Sequence, residues 1–163
     1  MGYFFSISAV LLVVDQLTKN YMSGLLPLCV PGYCQSIEVL PVFKLTILHN
    51  TGAAFSFLAD AGGWQRGFLV AVSLGVSLFI CGWLYRIYRG QRLLAYALAF
   101  ILGGALGNLV DRVLQGYVVD FLVFYYDSYY FPAFNIADSA ITVGAGLLII
   151  DMFRQRDRGY GNE

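Results

Sequence analysis

Ten acidic and ten basic residues are all the charge this 163-residue chain carries. Two of the acids, Asp120 in GYVVDFLVF and Asp138 in AFNIADSAI, stand among apolar neighbours with no evident counter-ion. Two carboxylates held close in a low-dielectric site cannot both ionise readily, so they share one proton. The ionised member can then take a proton from water while the protonated member donates to a carbonyl oxygen, which is the chemistry of aspartic peptide hydrolysis. Magnesium held by carboxylates is a rival reading by ligand type. Zinc is disfavoured, because neither Cys nor a His cluster accompanies the pair.

The elements that must position these acids lie in a membrane. Hydrophobic residues make up 59% of the chain and charged residues 12%, against ~25% charged in a soluble domain. A net charge of zero excludes nucleic-acid binding through a basic surface. Gaps between charges locate the spans: Gly67–Tyr85 gives 19 uncharged residues and Leu93–Val110 gives 18, each matching the ~20 needed to cross ~30 Å of hydrocarbon. The predicted architecture is an all-α membrane fold of four transmembrane helices at about 3–20, 67–85, 93–112 and 132–152. The whole chain, 1–163, is read as one domain. The first segment lacks a basic leader and a small-x-small cleavage site, so it reads as a retained helix. The fourth is expected to start near Pro132, a favourable first-turn residue, which puts Asp138 about 9 Å into the helix.

Arg86, Arg89 and Arg92 between spans two and three, and Arg154, Arg156 and Arg158 in the tail, place both termini in the cytoplasm by the positive-inside rule. The two longer connections then face outward. A β-rich segment at about 36–58, between helices 1 and 2, predicts a small sheet on the outer membrane surface. The aromatic run 117–131 reads as an interfacial belt. With that topology Asp15, Lys19, Asn50, Asn108, Asp111, Arg112, Asp120, Asn135 and Asp138 converge in one outer-leaflet slab. Asp15 can pair with Lys19, and Asp111 with Arg112, since buried ions usually pair. Gly103, Gly104 and Gly107 permit close helix contact, and a path beside Gly104 and Ala105 is the expected entry for a substrate helix.

The motifs DQLTK at 15–19, HNTGAAFSFL at 49–58, GGALGNLVDR at 103–112, VVDF at 118–121 and FNIADSAI at 134–141 resemble those of bacterial lipoprotein signal peptidase, signal peptidase II. They run in that order over essentially the whole chain. The resemblance implies an intramembrane aspartic endopeptidase that removes the signal peptide of diacylglyceryl-modified prolipoproteins, cutting just before the lipid-modified Cys. It implies Asp120 and Asp138 as the catalytic pair, with Asn50, Gly52, Asn108, Arg112 and Asn135 around the site for substrate positioning or dyad support. Asp15, Lys19 and Asp111 match as supporting residues, and the 36–58 region corresponds to an outer β-cradle. No cofactor or metal is expected. The expected setting is the bacterial inner membrane, with the site toward the periplasm, a monomeric chain and inhibition by globomycin-type lipopeptides.

Cys29 and Cys34 lie in the outer loop as C-x4-C, where a disulfide is permitted. LPLC is a poor lipobox because Leu28 is too large. His49, the single histidine, reads as a surface or structural residue, and Trp64 and Trp83 as interfacial anchors. Two other classes use intramembrane acids: a transporter or channel subunit with a proton relay, and a magnesium phosphotransferase. The Asp-rich helix motif of the latter, with its internal Asp-Gly, is missing here.

Overall fold

The computed structural model describes residues 2–52 and 63–160, so the last part of the expected β-rich segment, 53–58, lies outside the described residues. In chain order the described elements are α1 (Gly2–Leu25), β1 (Ile37–Leu40), β2 (Phe43–Asn50), α2 (Trp64–Ile87), α3 (Arg92–Leu114), β3 (Val118–Tyr126), β4 (Tyr129–Tyr130) and α4 (Ile136–Tyr160). Three of the described helices are long and apolar enough to cross a membrane: α2, α3 and the Ile136–Gln155 part of α4. The remaining helix, α1, has 24 residues, about 36 Å at 1.5 Å per residue. Its buried Asp15 and Lys19 lower its apolarity. The span expected at 3–20 continues to Leu25, because nothing in TKNYMSGL breaks a helix before Pro27.

The other three helices pack around α3. At one end Phe4 of α1 and Ile80 and Leu84 of α2 close on Leu94, Ala95, Leu98, Ala99 and Leu102 of α3. Lipid tails are as apolar as these side chains, so close packing and small residues supply the association. Ser8 of α1 donates its hydroxyl to the Ala99 carbonyl at 2.8 Å. A Cβ added at Gly103 would meet Leu11 Cβ at 2.8 Å, and one at Gly107 would meet Asp15 Oδ2 at 2.6 Å. At Gly104 it would run into the carbonyl oxygen of Ala137 and the side chain of Ile141 on α4. The expected entry path beside Gly104 is therefore closed by α4; neighbouring Ala105 does line a cavity.

Gly104→Ala is expected to force α3 and α4 apart, lowering the melting temperature in detergent by about 5 °C or more, since overpacking costs about 1–3 kcal/mol. Gly82→Ala, where the added carbon meets nothing within 4 Å, should leave it within about 2 °C. Equal melting temperatures for the two variants would show that this contact tolerates a methyl group.

The sheet is antiparallel in the order β1-β2-β3-β4. Its first two strands lie between α1 and α2 as expected, but β3 and β4 come from the 117–131 run read as an aromatic belt. VVDFLVFYY is β-branched and aromatic, and it pairs with a strand edge that would otherwise carry unsatisfied backbone groups. Before β1, Cys29 and Cys34 form a disulfide. It closes a turn at Val30-Pro31-Gly32-Tyr33, with Gly32 at φ 87°, as a turn with Pro followed by left-handed Gly requires. The Cys29 amide donates to the Ile47 carbonyl at 2.9 Å, which ties this turn to β2. Cys81 is a free, half-buried thiol.

The fourth helix starts at Ile136, not at Pro132. Phe134 is still extended, exchanging backbone hydrogen bonds with Leu122 of β3 at 3.0 and 2.9 Å. Helix can begin only after that pairing ends. Asp138 consequently sits in the first turn of α4, not about 9 Å inside it.

Candidate active site

Three local structures bring the two acids together. The β2–β3 register sets Leu48 opposite Asp120 and Asn50 opposite Val118, so Asn50 and Asp120 are diagonal neighbours on one face. The Phe134–Leu122 pairing then lays the start of α4 against β3, just past Asp120. Finally, Asn135 caps α4: its Oδ1 accepts the Asp138 amide at 2.9 Å, while the Asp138 carboxylate accepts the Asn135 amide at 3.3 Å. This reciprocal pair is a capping box with Asp at its third position. The Asn-x-x-Asp spacing was visible in the sequence, and it is the signal that would have placed the helix start correctly.

Asn135 also joins the two acids. Fully buried, it donates from Nδ2 to Asp120 Oδ1 at 2.7 Å while its backbone amide faces Asp138. Asn50 Nδ2 donates to the other oxygen of Asp120 at 3.1 Å, and Asn108 Nδ2 donates to Asp138 Oδ1 at 2.8 Å. Among the described residues neither acid has an ion-pair partner within 4 Å. Amides can orient a carboxylate without fixing a full opposite charge beside it. Burial pushes the Asp120 carboxyl up to about 7, helped by the negative charge of Asp138 and opposed by the hydrogen bonds from Asn50 and Asn135 and by Lys19.

The supporting residues form a second layer. Lys19 lies 2.8 Å from both Asp15 and Asp111 and donates to Asn108 Oδ1 at 3.0 Å. Asp15 thus pairs with Lys19 as expected. Asp111 does not pair with Arg112: residues i and i+1 on a helix point in different directions, and Asp111 faces α1, where Gln16 also donates to it at 2.8 Å. Each acid of this layer holds a backbone amide near the site as well. Asp15 accepts the Ala137 amide at 2.9 Å, and Asp111 accepts the Val119 amide at 3.3 Å. These bonds fix the residue just before Asp138 and the one just before Asp120. Gln16 and Ala137 escaped sequence reasoning, because nothing in a helix pattern tells which neighbours a buried amide will meet.

Arg112 points the other way. Its Nη2 donates to the Gly52 carbonyl at 2.9 Å, and Gly52 in turn donates its amide to Asn50 Oδ1 at 3.0 Å. Its Nε is buried without a partner among the described residues. Asn50, Asn108, Arg112 and Asp138 open onto a cavity of about 1030 Å³, whose apolar walls include Leu69, Val72 and Val76 of α2 and Ile141 and Val143 of α4. His49 takes no part. Strand alternation puts it on the face opposite Asn50, where it stacks on the Tyr117 ring at 3.7 Å. All nine residues expected to converge are thus connected in one hydrogen-bonded assembly, with Gly52 at its rim.

Residues 7–154 match the sequence profile of the family described as Signal peptidase (SPase) II. The chain belongs to the signal peptidase II family. It is therefore an aspartic endopeptidase embedded in a membrane. Lipoprotein signal peptidase of Alteromonas mediterranea is 54% identical over 155 residues, covering 95% of this chain and 82% of the relative. That of Pseudomonas aeruginosa is 49% identical over 154 residues, covering 94% and 89%, and that of Acinetobacter baumannii is 52% identical over 147 residues, covering 90% and 81%. A bacterial membrane enzyme solved by the in meso method at 2.3 Å resolution superposes with a TM-score of 0.81 at 29% identity, covering 97% of this chain and 92% of that one. A second, solved at 1.9 Å, gives 0.75 at 30% identity with 93% of each chain covered. The four helices and the antiparallel sheet of this chain thus match the fold of these two solved membrane enzymes.

Proposed function

We propose that Asp120 and Asp138 are the catalytic pair that cleaves diacylglyceryl-modified prolipoproteins just before the lipid-modified Cys. The observation that carries this reading is a pair of carboxylates joined through Asn135 and held by amides, without an ion-pair partner among the described residues, of which Asp138 lines an apolar-walled cavity. A substrate whose acyl chains remain in the bilayer presents its scissile bond near the interface, where such a pair meets both the bond and water. The ionised carboxylate takes one proton from water as the oxygen adds to the carbonyl carbon, and the protonated one donates to the carbonyl oxygen. Collapse of the tetrahedral diol breaks the C–N bond, with a proton passing to the departing amine of the Cys. One proton shared by the pair returns at the end. Asn50, Asn108 and Asn135 hold the carboxylates, Gly52 anchors Arg112, and the buried Arg112 Nε, without a partner among the described residues, is a donor for a substrate carbonyl. Asp15, Lys19 and Asp111 support this arrangement from behind. The basic ends of α2, α3 and α4 support cytoplasmic termini in the bacterial inner membrane, with the acid pair facing the periplasm. The same cavity is the expected seat of globomycin-type inhibitors, and one copy contains every residue the mechanism uses.

Cleavage of a diacylglyceryl-modified prolipoprotein in detergent, with and without chelator, tests the reading. Undiminished turnover in chelator is expected; loss that magnesium restores would move the acids to a metal site. The pH dependence has a definite sign. Asp120 is protonated below about 7 and ionised above it, and a doubly ionised pair lacks the acid that protonates the carbonyl oxygen. Thus kcat/KM should fall by about tenfold per pH unit above this edge. A flat profile from pH 6 to 9 would contradict the shared-proton mechanism.

A further inference from the structure

Outside the hydrogen-bonded assembly just described, one arginine is tied to it from the other side. Arg66, in the first turn of α2, donates from Nε to the Arg112 carbonyl at 3.0 Å and from Nη2 to the Val113 carbonyl at 2.8 Å. Both carbonyls belong to the last turn of α3, where backbone oxygens have no partner within the helix and the helix dipole favours a cation. The other end of that turn is closed internally, since the amides of Gln115 and Gly116 both return to the Asp111 carbonyl. Gly116 has φ 86°, and the Arg66 side chain lies across the position of its missing Cβ, with Nη1 at 3.1 Å and Cζ at 3.3 Å. A side chain at 116 would displace the guanidinium.

This corner has two outputs. It carries Arg112, whose guanidinium holds Gly52, and it delivers the chain into β3, where Asp120 is the third residue. From the inside the corner is held by Asp111 on the Val119 amide; from the outside it is held by Arg66. One turn further along α2, Leu69 lines the cavity, so the same side chain also sets the spacing between that wall and the end of α3. We propose that Arg66 is a positioning residue for the hydrolytic reaction, acting through the α3–β3 corner to keep Arg112 and Asp120 in register with α4. The inference rests on the catalytic-pair reading above. A fork with two separated nitrogens suits two adjacent carbonyls, whereas a lysine has its donors on one nitrogen. Displacement of catalytic groups by about 1 Å can slow a reaction by roughly a hundredfold, so the effect should appear in turnover more than in substrate binding.

The test compares Arg66→Ala, Arg66→Lys, Arg89→Ala and Asp120→Asn in detergent, with kcat and KM measured separately, well below each variant's melting temperature. Arg89 stacks on Tyr88 away from the site, and its variant should behave as the parent. Arg66→Ala is expected to lower kcat by about tenfold to a hundredfold, with KM within about threefold. Arg66→Lys, able to remake one of the two bonds, should fall between Ala and the parent. The inference is overturned if Arg66→Ala keeps kcat within about twofold of the parent, if the loss lies in KM alone, or if it only tracks the folded fraction. A fully active Asp120→Asn would instead remove the catalytic-pair reading, which keeps the two failures distinguishable.

Discussion

Asp120→Asn and Asp138→Asn should each lower kcat for prolipoprotein cleavage by about 10²–10⁴-fold, the range spanned by positioned acid–base groups. An amide can neither accept the proton of the attacking water nor return one to the carbonyl oxygen, so each single change removes the shared proton. In the proposed mechanism the two carboxylates act as one unit, so the double variant is expected to be no slower than the worse single variant. Asparagine keeps one acceptor oxygen for the surrounding amides. Asp120 can still receive Asn135 or Asn50, and Asp138 can still receive Asn108. The folded state should therefore survive, with a melting temperature close to that of the parent. Single-turnover cleavage on matched, folded preparations decides the matter. Substantial residual turnover in either variant would take that residue out of the mechanism.

Lys19→Met should produce the largest loss of stability. Lys19 is 3% exposed and is the only cation within 4 Å of Asp15 and Asp111 among the described residues. Removing one partner of a buried ionic group costs about 3–5 kcal/mol, because the charges left behind are uncompensated. For a chain of this size that corresponds to a melting temperature lower by about 10 °C. Activity should fall too, since Lys19 also holds Asn108, which donates to Asp138. Adding Asp15→Asn and Asp111→Asn to Lys19→Met should recover part of the stability: the unpaired charges disappear while oxygens remain to accept the Ala137 and Val119 amides. Thermal unfolding in one detergent measures both. A Lys19→Met variant melting within about 2 °C of the parent would show that the triad contributes little.

The acid pair and the helices were legible for a common reason. Crossing a bilayer demands long uncharged windows, so 67–85 and 93–110 show in one dimension, and in so apolar a chain Asp120 and Asp138, set among apolar neighbours, stand out by their scarcity. The convergence of Asn50, Asn108, Asn135 and Arg112 followed from topology alone. Partner choice did not. Asp111 turns to Lys19 and not to its neighbour Arg112, because α1 packs against that face of α3.

Depth along α4 is likewise set by packing. Proline 132 is a permitted helix start, but the pairing of Phe134 with Leu122 takes precedence, since an open strand edge leaves backbone groups unsatisfied. That same pairing turns the aromatic run into β3 and so carries Asp120 to Asn50 and Asn135. In the sequence Arg66 is simply the charge that bounds the 67–85 window; in the fold it closes the last turn of α3. Residue types and the bilayer set which segments can cross and which acids stand among apolar neighbours. Which oxygen each amide reaches, and hence how the two carboxylates face one another, depends on contacts between segments distant in the chain, and only the packed structure decides those.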